Sequence, residues 1–478
     1  MKKKLIAVAI ASVVVSAFVS TPVRADELSD LKAQIESLSK RFAELENKQA
    51  QAPAAAPAVH SAKPVLAMTT DQEGVTMNPD DSAIIQYGNG TSSLKVYGLI
   101  EGTLSNVDHQ TQNGGRTTGY QTAWFSGNRL GFDAQHALKF GESIGMPDLK
   151  AIMKIESEFE LPTGGMDTAG NMWNRDAWVG FYADNLGKLT FGRQNTLTRD
   201  FTNNWGDPYG AAATTLKEGG YSNVNNFKQF IFYSGGPNGT RNNSAVEWKK
   251  RYGDHVVVGL GYTFGSGGNG GSSDPGTGGS TPGDQSKGTG QAASLAFNKI
   301  DLGPAVANFN VSYDRANITD LVHQSELIGG NLSFGALRFN AGFVHYTAEQ
   351  GVNNSMGTRT DNSWTTSVSY LLGQTDFALG YQQMKGNHVG SNGTGTNVRN
   401  PFFDTALVTQ VTDGGKNTIY GSIMFHADKQ LDVYLAADHF TTTGGWIVGD
   451  AQGNGMQYGA GQSYKGTTEL VTGVRYKF

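Results

Sequence analysis

The sequence predicts an all-β protein, a transmembrane antiparallel β-barrel of about sixteen strands preceded by a short coiled-coil helix. Three observations point there. From Leu94 to Phe478, apolar and polar residues alternate in run after run, the pattern of strands with one apolar and one wet face. The N-terminus reads as an export signal. No later segment reaches the roughly 20 apolar residues that a membrane helix needs. A membrane-spanning form of this chain must therefore satisfy its backbone by closing a sheet on itself.

Composition agrees. Gly is abundant (64 of 478 residues), Pro scarce (13), and charged residues make up only 17%. A soluble α/β enzyme would carry more Leu, Ala and charge and less Gly, whereas Gly, Asn, Thr and Tyr suit strands joined by turns. The chain has no cysteine, which excludes thiolate metal sites, disulfides and cysteine nucleophiles and suits an oxidising compartment.

Residues 1–25 are the signal peptide: Lys2, Lys3 and Lys4, an apolar run from Leu5 to Val19, and Ala25 before the expected cut. A retained anchor is the alternative, disfavoured by the short span. Removing this segment takes away four positive charges and moves the formal charge from −5 to −9. An acidic mature chain argues against nucleic acid as a partner.

Residues 26–48 form a heptad helix. Leu28, Leu31, Ile35, Leu38, Phe42 and Leu45 make an a/d seam. Polar residues fill the other positions, which favours self-association over packing on its own domain. The seam spans only about three heptads, so it needs a further interface to be stable. Residues 49–93 are an Ala/Pro-rich, extended linker and a polar lead-in.

The barrel domain is expected over residues 94–478. Its first strand, near 94–104, sets Leu94, Val96, Ile100 and Leu104 against Lys95, Tyr97, Glu101 and Thr103. Further strands are expected near 128–136, 149–160, 175–183, 187–195, 243–250, 254–264, 291–299, 305–315, 325–335, 336–347, 362–372, 374–384, 416–427 and 429–441. The last, 466–478, puts Leu470, Val474, Tyr476 and Phe478 on one face and Glu469, Arg475 and Lys477 on the other. Residues 227–234 fit either a strand or a loop. A soluble sandwich would also alternate. Small and charged residues on the polar faces, and aromatics at strand ends such as Tyr262, Phe264, Tyr370 and Tyr476, favour a wet lumen and interface girdles. An even strand number leaves both chain ends on one side, and this size leaves an aqueous channel. The Gly-rich stretches 265–290 and 386–415 read as external loops.

Several motifs carry a resemblance. KVYGLIEG (95–102), SGNRLGF (126–132), LKAIMKIESEFEL (149–161), NRDAWVGF (174–181), GKLTFGRQ (187–194), RNNSAVEW (241–248) and TGVRYKF (472–478) resemble the trimeric Gram-negative porins. The heptad helix and linker look like those of the DcaP-like porins, which are associated with dicarboxylic and other organic anions. The resemblance implies a homotrimer in the outer membrane, in contact with its lipid and lipopolysaccharide. It also implies a final strand, through Tyr476 and Phe478, read by the barrel-assembly machinery. It implies further that the loop after the fifth strand, 195–226, folds into the lumen, bringing Arg199, Asp200, Asp207 and Glu218 opposite wall arginines Arg129, Arg175 and Arg241. Parity supports Arg129 and Arg241 as lumenal. Arg175 and Arg193 share parity with apolar neighbours, which leaves their direction open. Arg338 and Arg475 are lumenal by parity, and Arg193 and Arg338 are counted with the expected constriction residues.

The resulting expectation is passive diffusion of small hydrophilic solutes, with organic anions such as dicarboxylates preferred through guanidinium–carboxylate pairing. No cofactor, metal site or catalytic residue is expected: the histidines are scattered, with no HExxH and no EF-hand spacing. A structural role, with the coiled coil tethering the outer membrane, is the alternative. An enzymatic role has no supporting motif.

Overall fold

The computed structural model describes residues 85–109, 115–121, 123–125, 127–167, 170–202, 241–264, 289–318, 321–391, 410–445 and 465–478, together with Lys40. The expected signal peptide, the rest of the heptad segment, the linker, Asp207, Glu218 and residues 227–234 lie outside them. All strands belong to one compact unit, Pro64–Phe478.

Eighteen strands follow one another. They are β1 (Ile85–Gly88), β2 (Ser92–Val107), β3 (Thr117–Gln121), β4 (Asn128–Ala137), β5 (Lys150–Phe159), β6 (Ala177–Ala183), β7 (Gly187–Asn195), β8 (Arg241–Tyr252) and β9 (Val256–Thr263). Then come β10 (Gly290–Asp301), β11 (Val306–Ile318), β12 (Leu321–Phe334), β13 (Leu337–Glu349), β14 (Thr358–Leu372), β15 (Thr375–Ser391), β16 (Gln410–His426), β17 (Leu431–Gly444) and β18 (Gly466–Lys477). Each strand of the ring pairs antiparallel with the next, and β2 pairs with both β4 and β18. The ring therefore closes on sixteen strands, β2 and β4 through β18, while β1 and β3 are short additions to β2. Closure removes every free sheet edge from the ring, the condition for crossing a bilayer with strands. Among the described residues no helix is long and apolar enough to cross a membrane.

All sixteen expected strands are present. The largest departure lies at 386–391, expected as loop. Here β15 continues to Ser391 and pairs with the head of β16 through a bulge between Gly386 and Val389. Its glycines weaken the strand signal, but ladder bonds to a neighbour satisfy their backbone.

The two faces decide the environment. Leu104, Val179, Phe191, Leu260, Phe339, Leu379, Ile419 and Val474 point outward and are exposed, while Lys95, Glu101, Asp133, Glu156, Lys188, Glu247, Asp314 and Asp361 point inward and are buried. A soluble sandwich would show the reverse; apolar-out and polar-in is the arrangement for lipid outside and water inside.

Tight cross-strand packing fixes parts of the inner wall. Tyr97 lies over Gly131 and Tyr420 over Gly380, each its register partner. A Cβ at Gly131 would come within 2.3 Å of the Tyr97 ring, and one at Gly380 within 2.2 Å of Tyr420. The lumen is not uniformly polar, however. Leu327, Val344, Tyr346, Ala348, Met384 and Val389 form a buried apolar cluster on the inner faces of β12, β13 and β15.

The connections differ at the two rims. Residues 184–186, 253–255, 335–336 and 373–374 are short turns, whereas the links after β7, β9, β15 and β17 are long. At the junction of the ring, the Phe478 N–H donates to the Gly98 carbonyl (3.0 Å) and the Gly98 N–H to the Phe478 carbonyl (2.7 Å).

Candidate functional site

The described start of the link after β7 turns into the lumen. Thr196 accepts a bond from the Arg199 N–H through its hydroxyl (3.3 Å), an N-cap interaction that starts a single helical turn, α1 (Leu197–Thr202). Leu197 and Phe201 are fully buried against Val257 of β9 and Ala296 of β10. Gly259 on the inner face of β9 permits this approach: a Cβ there would lie 2.5 Å from Leu197 Cδ1. The Thr198 hydroxyl donates to Asp314 of β11 (3.4 Å). Asp200 pairs with Lys249 of β8, which also contacts Glu247 at 2.9 Å. The described start of the loop thus lies inside the barrel, along the wall from β8 to β11.

Asp200 departs from its expected orientation. It is turned to Lys249 and held by Asn195 (2.9 Å) instead of facing the wall arginines. Lys249, a buried lysine eight residues beyond Arg241 on β8, supplies the counter-charge, and an unpaired buried carboxylate is costly. Arg199, one residue earlier, stands within electrostatic range of Arg241 and so joins the wall arginines.

The basic wall is built from the loop-side ends of β4, β6 and β8. Arg129 lies on the inner face of β4, as parity predicts, with its Nε donating to the Gly127 carbonyl (3.0 Å). Arg241 opens β8 and is buried; its Nε and Nη2 have no hydrogen-bond partner among the described residues. Arg175 precedes β6, where strand parity no longer applies, and it turns inward to pair with both Glu156 and Glu158 of β5. Those two glutamates are the acids that face the arginines, and the expected site did not include them. Their inward alternation in KIESEF was the signal that could have found them. Lys154 and Tyr97 complete the local network: Lys154 Nζ lies 3.7 Å from Asp176, and the Tyr97 hydroxyl donates to Glu156 (2.8 Å).

Three further arginines have partners of their own. Arg193 sits at the bulge between β7 and β8 and donates from Nε and Nη2 to the Asn174 carbonyl (2.9 and 2.6 Å) and from Nη1 to Asn243. It ties three chain segments together beside Arg175, its guanidinium occupied by these bonds. Arg338 faces inward beside the short turn 335–336 and donates to Asn340 (2.9 Å). Arg475 lies in the final strand, ion-paired with Glu101 (2.9 Å). Among the described residues no group of three or more His, Asp or Glu could hold a metal ion.

A family model described as Gram-negative porin matches residues 52–445. No curated protein sequence matches the chain. Among solved structures, the anion-selective porin from Comamonas acidovorans is similar, with a TM-score of 0.57 and 17% identity, covering 81% of this chain and all of that one. Outer-membrane expressed OmpT of Vibrio cholerae aligns with a TM-score of 0.50 and 14% identity over 82% of this chain and all of its own. The outer membrane channel DcaP of Acinetobacter baumannii gives 0.49 and 14% over 82% of this chain and 99% of its own. At these identities the likeness is one of fold.

Proposed function

The chain belongs to the Gram-negative porin family, and on that premise we propose that it lets small hydrophilic solutes diffuse across the outer membrane with a preference for organic anions such as dicarboxylates. The observation that carries the preference is the cluster of Arg129, Arg175, Arg199 and Arg241 beside the inserted loop. Arg241 in particular keeps two buried N–H groups without a partner among the described residues. Such donors favour a ligand that brings acceptors, and a carboxylate fits a guanidinium in bidentate fashion. Glu156 and Glu158 exceed Arg175 by one negative charge and Lys154 balances Asp176, so the net attraction comes from Arg129, Arg199 and Arg241, which outweigh that excess. Basic groups around a narrow passage select anions electrostatically. The mechanism needs no covalent step: solutes are sieved by size and sorted by charge.

The working unit in this reading is a homotrimer, assembled with the help of the heptad helix at 26–48 in the periplasm. Its end at Tyr476 and Phe478 is recognised by the barrel-assembly machinery, and its outer surface contacts lipid and lipopolysaccharide.

The test is the reversal potential in a salt gradient across a planar bilayer, for the wild type and for Arg129→Ala with Arg241→Ala. Anion preference in the wild type and its reduction in the double variant are expected. Cation preference in the wild type would falsify the anion reading, and unchanged selectivity in the double variant would remove these two residues from it.

A further inference from the structure

A second segment enters the lumen, and no part of the site above uses it. Between β3 and β4, residues 123–125 fold inward, and Trp124 and Phe125 are 0% and 1% exposed. They pack with Tyr420 and Met424 of β16, Tyr434 and Ala436 of β17, and Val471 of β18. The Phe125 and Tyr434 rings meet edge-on at 4.6 Å, and the Arg475 guanidinium lies 5.2 Å from the Phe125 ring.

Glu101, in the middle of β2, fastens this segment. Its Oε1 accepts from the backbone N–H groups of Trp124 and Phe125 and from the Tyr434 hydroxyl, each at 2.8 Å. Its Oε2 is paired with Arg475 at 2.9 Å. Three donors on one carboxylate oxygen, together with an ion pair, make a fixed attachment instead of a passing contact.

Position gives the attachment its meaning. In the ring order, β9 and β17 are eight places apart among sixteen, so the aromatic segment and α1 occupy opposite walls. Each touches a strand near its short-turn end. Val257, under α1, follows the short turn 253–255, and Tyr434, under the aromatic segment, follows the short turn 427–430. We propose that the segment 123–125 is a second narrowing element, held by Glu101 as a positioning residue, and that the pore cross-section is set jointly by this segment and α1. The proposal rests on the channel reading alone and is independent of anion preference.

Single-channel conductance of the full-length protein tests it. Trp124→Ala with Phe125→Ala removes the packing that seats the segment, and Glu101→Gln weakens the attachment while keeping the side-chain size. Both variants are expected to raise conductance, with the reversal potential unchanged in the aromatic double variant and displaced toward anions in Glu101→Gln, which leaves Arg475 without its carboxylate. Folding is verified by heat-modifiable migration on gels. Unchanged conductance in the folded double variant overturns the proposal. If that variant does not assemble, unchanged conductance of Glu101→Gln overturns it equally. A failed anion reading shows instead in the wild-type reversal potential.

Discussion

Arg175 and Arg241 stand on the same lumenal wall with different partners. Arg175 is buried between Glu156 and Glu158, whereas two N–H groups of Arg241 have no partner among the described residues. Their substitutions should separate accordingly. Arg175→Met takes away the guanidinium shared by two buried carboxylates and is expected to cost about 3–5 kcal/mol, read as a lower urea midpoint for unfolding in detergent. Arg241→Met removes a charge without stranding a counter-ion, so the midpoint should hold while anion preference falls. Equal midpoints for the two variants would contradict this division. The resemblance pointed to Arg129 and Arg241 and parity supported both as lumenal, and both lie within strands of the ring. Parity could not settle Arg175, which precedes β6, or Arg193, which lies at a bulge. Alternation carries information only where the ladder is regular.

At the scale of elements, close packing replaces side-chain bulk at chosen points. Gly380 receives the Tyr420 ring from the neighbouring strand. Gly380→Val should force that ring off its seat at a cost of about 1–3 kcal/mol, again seen as an earlier urea transition; an unaltered transition would show that the ring relocates freely. Gly259 does the same for α1. Gly259→Leu is expected to push Leu197 and Phe201 from the wall and change single-channel conductance while the barrel still migrates as a folded species. Strand positions were legible from period-two runs such as 337–349, where large apolar residues mark the lipid face. The inward paths of α1 and residues 123–125 were not legible from periodicity. Both depend on contacts with strands far away in sequence, as Tyr434 with Phe125 shows. The family resemblance, not the pattern, raised the inserted loop; nothing raised the aromatic segment.

For the whole molecule, two predictions concern closure and field. Phe478 completes the seam between β18 and β2 through paired backbone bonds with Gly98, and its ring covers that glycine. Deleting Phe478 is expected to lower the amount of heat-modifiable protein in outer-membrane fractions; full recovery would show that the seam tolerates its loss. The selectivity should also weaken with ionic strength. The Debye length falls to about 3 Å at 1 M salt, so the anion-to-cation permeability ratio should approach unity there and grow in dilute salt. A ratio independent of salt would point to contact recognition instead of a field.

The sequence by itself determined the strands, their two faces and the closed sheet, because alternation of apolar and polar residues is a local property that lipid outside and water inside both enforce. It also determined that Arg129, Arg241, Arg338 and Arg475 face inward. Tertiary structure alone decided which charges meet: Asp200 with Lys249, Arg175 with Glu156 and Glu158, and Glu101 with the backbone of Trp124 and Phe125. The physical reason is that a buried charge takes the counter-charge or donor that the closed ring brings nearest, and that proximity is set by strand neighbours and inserted segments, not by spacing along the chain.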